Sequence, residues 1–368
     1  MTVKMQPMRP QGASNADFNR EMLIVAREAM ALTQGQLAKA AGTTQGRISK
    51  VESGLLLPTP EFLADVAKVL RRPVSFFYKM EDLRGIPESY HRKRMSLGAT
   101  VLKRINAQVN VRIWEVGRLL RAGEIEAKFS VPALDLDDYA GSPAAVARAV
   151  RSFWQMPPGP VRNLARTLEN AGAILVPMQF GVREIDGIGM RPSGLAPLIF
   201  YNSGAPGDRT RFTLAHELAH LVLHAHQPPY PEMENEANAF AAEFLMPERD
   251  IAPQFMHRIS RQTLAGLKPV WRVAMGALLR RAYQLKAIDY HRYTRLWQEM
   301  SRLGYRTREP AELDFPQEQP SVFNDLIKLH LDRLGYSVKQ LADTLDSLPE
   351  VLEESIVPPS SPTLRLLG

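Results

Sequence analysis

No cysteine occurs among the 368 residues of this chain. Disulfide scaffolds, thiolate nucleophiles and cysteine-ligated zinc fingers are therefore excluded, and any metal site has to be built from His, Asp or Glu. That composition fits a reducing interior. Long hydrophobic runs are absent too: nowhere do about 18 apolar residues follow one another, the length a membrane-spanning helix needs. The N-terminal stretch MTVKMQPMRPQGASNAD lacks the apolar core of a secretion signal. A cytoplasmic protein that does not engage membranes is expected.

What the chain does have is enough apolar residues, 45% of the total, to bury a sizeable core, and a length that suggests two or three domains. The net charge of +7 is unevenly placed, since residues 1–94 hold 15 Lys and Arg against 9 Asp and Glu. A basic segment of this kind is what contacts to phosphates require, whereas a merely solvated face needs no such segregation.

Residues 18–80 read as short helices, because apolar positions recur every three or four residues without strand-type alternation. A longer helical pattern from Leu97 to about Ile125 carries Val101, Ile105, Val109, Ile113, Val116 and Leu120 on one stripe that packs or pairs. The turn-rich VPALDLDDYAGSP marks a boundary near residue 140, and GAILVPMQF and APLIFYN are candidate strands. After Met246 and Pro247 the pattern is helical again, clearest in WRVAMGALLRRAYQLKAI, and REPAELDFPQEQP reads as a linker. No internal repeat of fixed period stands out. The expected division is a disordered tail at 1–16, a basic helical domain at 17–80, a helical linker at 81–139, a mixed α and β domain at 140–260, a helical segment at 261–308, a linker at 309–320, C-terminal helices at 321–356 and a disordered tail at 357–368.

The stretch LTQGQLAKAAGTTQGRISKVESGLLLP reads as two short helices meeting at a tight turn. Thr33 and Thr44 cap the two helices, Leu37 faces the core, and Ala38 is small where the helices cross. Gly42 supplies the positive φ of the turn. Burial of Ile48 and Val51 leaves Gln45, Gly46, Arg47, Ser49 and Lys50 on or near the outer face, and Gly54 with Pro58 ends the second helix. Gln pairs with adenine, Lys or Arg reaches guanine or phosphate, and Gln34, at a helix N-terminus, is placed for a phosphate.

This pattern, TQxxLAxxxGxxxxxIxxxExG from Thr33 to Gly54, resembles the phage-repressor-like (XRE-type) helix-turn-helix family over about 60 residues. The resemblance implies Gln45, Arg47 and Lys50 as DNA-contacting positions, with Thr44 and Gln34 beside them, and an Arg27–Glu52 pair bracing the recognition helix. Gly46 departs from it by offering no side chain where a base is often read, which implies modest specificity or reliance on dimer geometry. One such module makes few base contacts, so a homodimer on an operator is expected. The competing reading is a helical bundle that only contacts protein.

In RTRFTLAHELAHLVLHAH, the run His216-Glu217-Leu218-Ala219-His220 is an HExxH on a helical pattern. Two histidines at i and i+4 share a face and reach one Zn²⁺, with Glu217 beside them to accept a proton from metal-bound water. A third ligand is needed. His226 has the spacing of an HExxHxxGxxH site, but the required Gly position is Leu223. His224 lies roughly 12 Å along a straight helix from His216, too far to converge, and reads as packing or surface. A later helix, EMENEANAFAAEFLMP, offers Glu234 or, about 200° around it, Glu236. Glu234 shares its face with Asn238 and is the preferred candidate.

HExxH followed by ExxxN resembles the gluzincin layout, which implies Glu234 as ligand and Asn238 as support for a ligand histidine. RFTLAHELAHLVLH followed by ENEANAFAAEFLMP is, more specifically, similar to the ImmA/IrrE family of zinc metallopeptidases over roughly residues 140–255. The fold thereby implied is multi-domain and mainly α: an N-terminal five-helix-type helix-turn-helix domain, an α+β zincin-like domain, and a helical C-terminal region. The resemblance further implies His216, His220 and Glu234 as zinc ligands, Glu217 as base, and a DNA-binding regulator of stress or mobile-element genes that cleaves a repressor protein. The alternative is a non-enzymatic transcription factor whose peptidase-like domain senses a ligand, metal or partner. Glu217 weighs toward the hydrolase, because a sensor needs the histidines alone. Arg211, Tyr201, Tyr230 and His226 are all conceivable donors to an oxyanion, and none is singled out.

Overall fold

The structure, a computed structural model, describes residues 17–85, 97–121, 127–182, 184–225 and 227–356. The tails expected at 1–16 and 357–368, and the candidate ligand His226, lie outside the described residues. The chain is mainly helical and divides into two units, one of residues 1–85, 97–123 and 326–368, the other of 86–96 and 124–325. Among the described residues no helix is long and apolar enough to cross a membrane.

In the first unit, four short helices follow one another: α1 (Arg20–Ala29), α2 (Gln34–Ala40), α3 (Gln45–Glu52) and α4 (Pro60–Val69). Each starts on a polar cap, Asn19, Thr33, Thr44 and Thr59, whose side chain accepts a backbone N–H of the first turn. Their inner faces bury Met22, Leu23, Leu37, Ile48, Val51, Leu63 and Val66. The long helix α5 (Ala99–Leu120) buries Ile105, Val109, Ile113 and Val116 of the expected stripe. A second face, Ala107, Val111 and Trp114, joins the core of α1–α4. Residues 97–121 thus belong to the first unit, because the helix is apolar on two faces.

In the second unit, α6 (Pro143–Phe153) and α7 (Leu164–Asn170) precede a sheet of β1 (Ile174–Met178), β2 (Gly187–Met190) and β3 (Leu198–Asn202). The strand order is β1-β3-β2, with β1 parallel and β2 antiparallel to β3. Beyond the sheet come α8 (Gly207–Leu223), α9 (Met233–Leu245), the single turn α10 (Glu248–Ile251), α11 (Arg261–Trp271), α12 (Met275–Gln284) and α13 (Tyr290–Arg302). One core joins α6, α8, α9, α11 and α12 through residues such as Val150, Leu218, Phe240, Trp271 and Leu278. The amphipathic run from Trp271 to Ile288 is broken where Arg272 takes a left-handed conformation, so it holds the end of α11, a turn and α12.

Two of the three strands match the candidate segments, and β2, GIGM, was not among them. Gly187 and Gly189 are there because α8 lies against the strand: a Cβ on Gly187 would stand 2.6 Å from Thr213 Cγ2 and 2.9 Å from Glu217 Cγ.

The segment read as a linker at 309–320 is a strap held down on the second unit. Glu318 pairs with the buried guanidinium of Arg211 and accepts the Ala165 N–H at 2.7 Å. Glu309 pairs with the buried Lys268 at 2.6 Å, and Gln317 donates to Asn202 O at 3.2 Å.

After α14 (Val322–Lys328), the C-terminal helices α15 (Val338–Thr344) and α16 (Pro349–Ile356) repeat α2 and α3 at a spacing of 304 residues. Ser337 and Gln340 form the same capping box as Thr33 and Gln36. Asp346 has the left-handed φ of Gly42, 49° against 63°. The Ser347 N–H donates to Ala342 O at 2.9 Å just as Thr43 N–H donates to Ala38 O. SVKQLADTL thus holds the first helix of a second pair built like α2 and α3. Asp346 stands at its turn where α2 and α3 have Gly42, and Pro349 opens its second helix. Where α3 carries Gly46, Ser49 and Lys50, α16 carries Glu350, Glu353 and Glu354, an anionic face. In the first unit Asp346 is buried, with its carboxylate 2.8 Å from Arg118 and 3.2 Å from Lys79.

Candidate functional site

α8 is buried along nearly its whole length, and it carries His216 and His220 one turn apart, facing the start of α9. Their Nε2 atoms are 3.1 Å apart. Glu234 closes the group, with carboxylate oxygens 3.6 Å from His216 Nε2 and 3.5 Å from His220 Nε2. These three are the one metal-competent cluster among the described residues, their ligand atoms all within 4.8 Å of one another. Ligands of a tetrahedral zinc, bound at about 2.0–2.1 Å, sit about 3.3 Å apart, so the spacing and the nitrogen and oxygen donor set fit that ion. Asn238, one turn after Glu234, has its Oδ1 3.2 Å from His216 Nδ1, and its amide N–H donates to Glu234 O at 2.7 Å.

Glu217 lies on the same helix beside the pair, with only 1% of its surface exposed. Its Oε2 accepts the Gly189 N–H of β2 at 2.8 Å. Burial, helped by the neighbouring Glu234 carboxylate, raises its pKa well above the usual carboxylate range, against the opposing hydrogen bond from Gly189.

Glu236, the other acid weighed as a ligand, stands apart from this cluster. Its Oε2 lies 3.0 Å from His224 Nε2 and accepts the Tyr230 hydroxyl at 2.6 Å. His224 is buried rather than on the surface, and its Nδ1 is 2.9 Å from His220 Nδ1. Burial, with His220 beside it, lowers the His224 pKa to about 4, and burial raises that of Tyr230. The four-residue spacing that carries His224 too far from His216 to share a metal with it sets His224 against the back of His220.

Of the side chains weighed as oxyanion donors, Tyr230 donates to Glu236, and Arg211 is held by Glu318, Arg272 O at 2.9 Å and Val161 O at 2.5 Å. Arg211 is thus a tie within the second unit.

In the first unit, Arg27 grips Glu52 with two hydrogen bonds, 2.5 and 3.0 Å, fixing α3 against α1. Gln34 donates to Glu52 at 2.8 Å and accepts from Gln45 at 2.9 Å, so both ends of its amide are engaged. Arg47 folds back over the Phe62 ring, 4.8 Å from its centroid, and reaches Thr59 Oγ1 at 3.4 Å. Thr44, Gln45, Gly46 and Lys50 are exposed on one side of α3, and a Cβ built on Gly46 meets nothing within 4 Å.

Comparison with known families agrees with this division. Residues 168–283 match the M78 peptidase model described as an IrrE N-terminal-like domain, and residues 23–77 match a helix-turn-helix model. The chain thus joins an XRE-type helix-turn-helix of DNA-binding regulators to an ImmA/IrrE-like domain of the metallopeptidase type. A search of curated proteins finds no match to it.

Proposed function

We propose that this chain is a DNA-binding transcriptional regulator whose second unit is a zinc-dependent metallopeptidase of the gluzincin type, acting on a repressor protein. The observation that carries the reading is the placing of His216, His220 and Glu234 around one point with the Glu217 carboxylate beside them. His216, His220 and Glu234 would hold the zinc, which when bound supplies a Lewis acid for the scissile carbonyl and an acidified water. Glu217 takes a proton and returns it to the leaving amine, a task that suits a carboxyl whose proton affinity is raised by burial. Asn238 keeps the His216 ring turned so that its Nε2 faces the cluster. Gln45 and Lys50, exposed on α3, contact bases and phosphates, and Arg47, Thr44 and Gln34 border them. Two copies of the chain, in the cytoplasm, would read an operator of two half-sites.

The test is the zinc content of the purified protein, for wild type, Glu234→Ala and Glu236→Ala. About one zinc per chain, lost only in Glu234→Ala, supports the centre. Glu217→Gln then keeps its zinc and stops cleavage of a co-expressed repressor. Zinc binding with no loss of any hydrolysis in Glu217→Gln points to the sensor reading, and no zinc after reconstitution removes the peptidase.

A further inference from the structure

We infer that His224, Glu236 and Tyr230 form a relay of hydrogen bonds that positions His220 as a zinc ligand, the counterpart of what Asn238 does for His216. The inference rests on the metal-centre reading above and adds three residues to it.

Proton bookkeeping carries the argument. A histidine that gives its Nε2 lone pair to a metal must keep its proton on Nδ1, and that proton needs an acceptor if the ring is buried. For His216 the acceptor is Asn238 Oδ1 at 3.2 Å, with the amide's orientation set by its donation to Glu234 O. For His220 the atom facing Nδ1 is the Nδ1 of His224, at 2.9 Å. Two ring nitrogens at that distance bond only if one is protonated and the other is not. His220 as a ligand must be the donor, so His224 accepts at Nδ1 and carries its own proton on Nε2. That Nε2 lies 3.0 Å from Glu236 Oε2, and a carboxylate only accepts. Tyr230 donates its hydroxyl to the same oxygen at 2.6 Å. Every donor in the run from His220 to Glu236 then has one acceptor, and all the protons point away from the metal cluster.

The placing is local in origin. His216, His220 and His224 succeed one another at four-residue steps along α8 and its C-cap, so each imidazole lies against the next, edge-on for the first pair and tilted for the second, with ring centroids 4.8 and 5.0 Å apart. Glu236 lies two residues after Glu234 on α9, on the other side of that helix, which is why one acid serves the metal cluster and the other serves His224. His224 has no exposed side-chain surface. A neutral ring aimed by a partly buried carboxylate costs little to hold there, whereas an apolar residue at that position would leave the His220 Nδ1–H without an acceptor.

The experiment measures zinc affinity by competition with a chromophoric chelator for wild type, Glu236→Gln, Tyr230→Phe and His224→Leu. Ring nitrogen NMR of the zinc-loaded wild type and Glu236→Gln proteins is recorded alongside. Expected is a loss of about 10- to 100-fold in zinc affinity for His224→Leu, a loss of about 10-fold for Glu236→Gln and a smaller one for Tyr230→Phe. In the loaded wild type His224 carries its proton on Nε2, a signature that a merely space-filling ring would not fix. Should His224→Leu fail to fold, Glu236→Gln and the tautomer still decide. Unchanged affinity in Glu236→Gln, or a His224 proton on Nδ1 in the loaded protein, overturns the relay and leaves the zinc centre standing. A wild type that takes up no zinc overturns the centre itself.

Discussion

The Gly189 N–H donates to Glu217 Oε2 at 2.8 Å, so the acid beside the paired histidines is tethered to a strand and not only to its own helix. A flexible glutamate becomes a fixed one, and the backbone donor that fixes it cannot be removed by side-chain substitution. The close approach that allows this bond depends on Gly187 and Gly189 leaving their Cβ positions empty.

Gly187→Ala is therefore expected to overpack the strand against Thr213 and Glu217, at a cost of about 1–3 kcal/mol in unfolding free energy. Urea denaturation measures this. Zinc content should stay near the wild-type value, because the ligands belong to α8 and α9, while any Glu217-dependent hydrolysis falls. A variant as stable and as active as wild type would show that β2 does not set the position of Glu217.

Arg211→Met leaves Glu318 buried without its partner and is expected to destabilise the second unit by about 3–5 kcal/mol. The double variant Arg211→Met/Glu318→Met should be less destabilised than the sum of the singles, since no charge is then stranded. Additive losses in a double-mutant cycle would deny the coupling.

Lys50→Ala is expected to weaken DNA binding and to lower the slope of log affinity against log salt by about one ion, as for a single phosphate contact. Glu52→Ala should instead lower stability, because Arg27 and Gln34 lose their common acceptor. Fluorescence anisotropy at several salt concentrations and thermal melts separate the two effects.

Burial raises the pKa of Glu169 above its ordinary value, more than its hydrogen bonds from Ser321 and Val322 lower it. A raised carboxyl pKa in the folded chain means a contribution to stability that is complete below the unfolded pKa, about 4.3. It is lost as pH rises through the folded value. Relative to Glu169→Gln, wild type should thus be most stable at acid pH and lose ground toward neutral pH. A stability difference that stays constant from pH 4 to 7 would remove this account.

The chemistry-bearing part of the chain was legible because it is written in local spacing. The caps Thr33 and Thr44, the turn at Gly42, and histidines four apart are relations within one or two turns of helix, where sequence and geometry are nearly the same thing. Less legible was whatever depends on a distant partner. GIGM has no alternation to mark it as a strand, and its glycines make sense only once α8 lies on top of them. Glu309 and Glu318 sit in a Pro-rich, acidic stretch that composition reads as a linker, yet their partners Lys268 and Arg211 are buried cations 41 and 107 residues upstream. His224 was judged by its distance from His216, when the residue that matters to it is His220. Residues 337–356 kept the helix-turn-helix geometry while losing the glycine and the basic residues by which that motif is recognised.

The strap also bears on how much of the chain can be cut away. The family match ends at residue 283, but Arg211 inside it finds its carboxylate at Glu318, and Lys268 shares itself between Asp208 inside the match and Glu309 beyond it. A fragment trimmed to the matched boundaries would leave Arg211 without its carboxylate partner, leave Lys268 with Asp208 alone, and remove the Ser321 and Val322 amides from Glu169. The smallest autonomous piece of this unit must therefore extend at least to residue 322, some forty residues past where family resemblance stops.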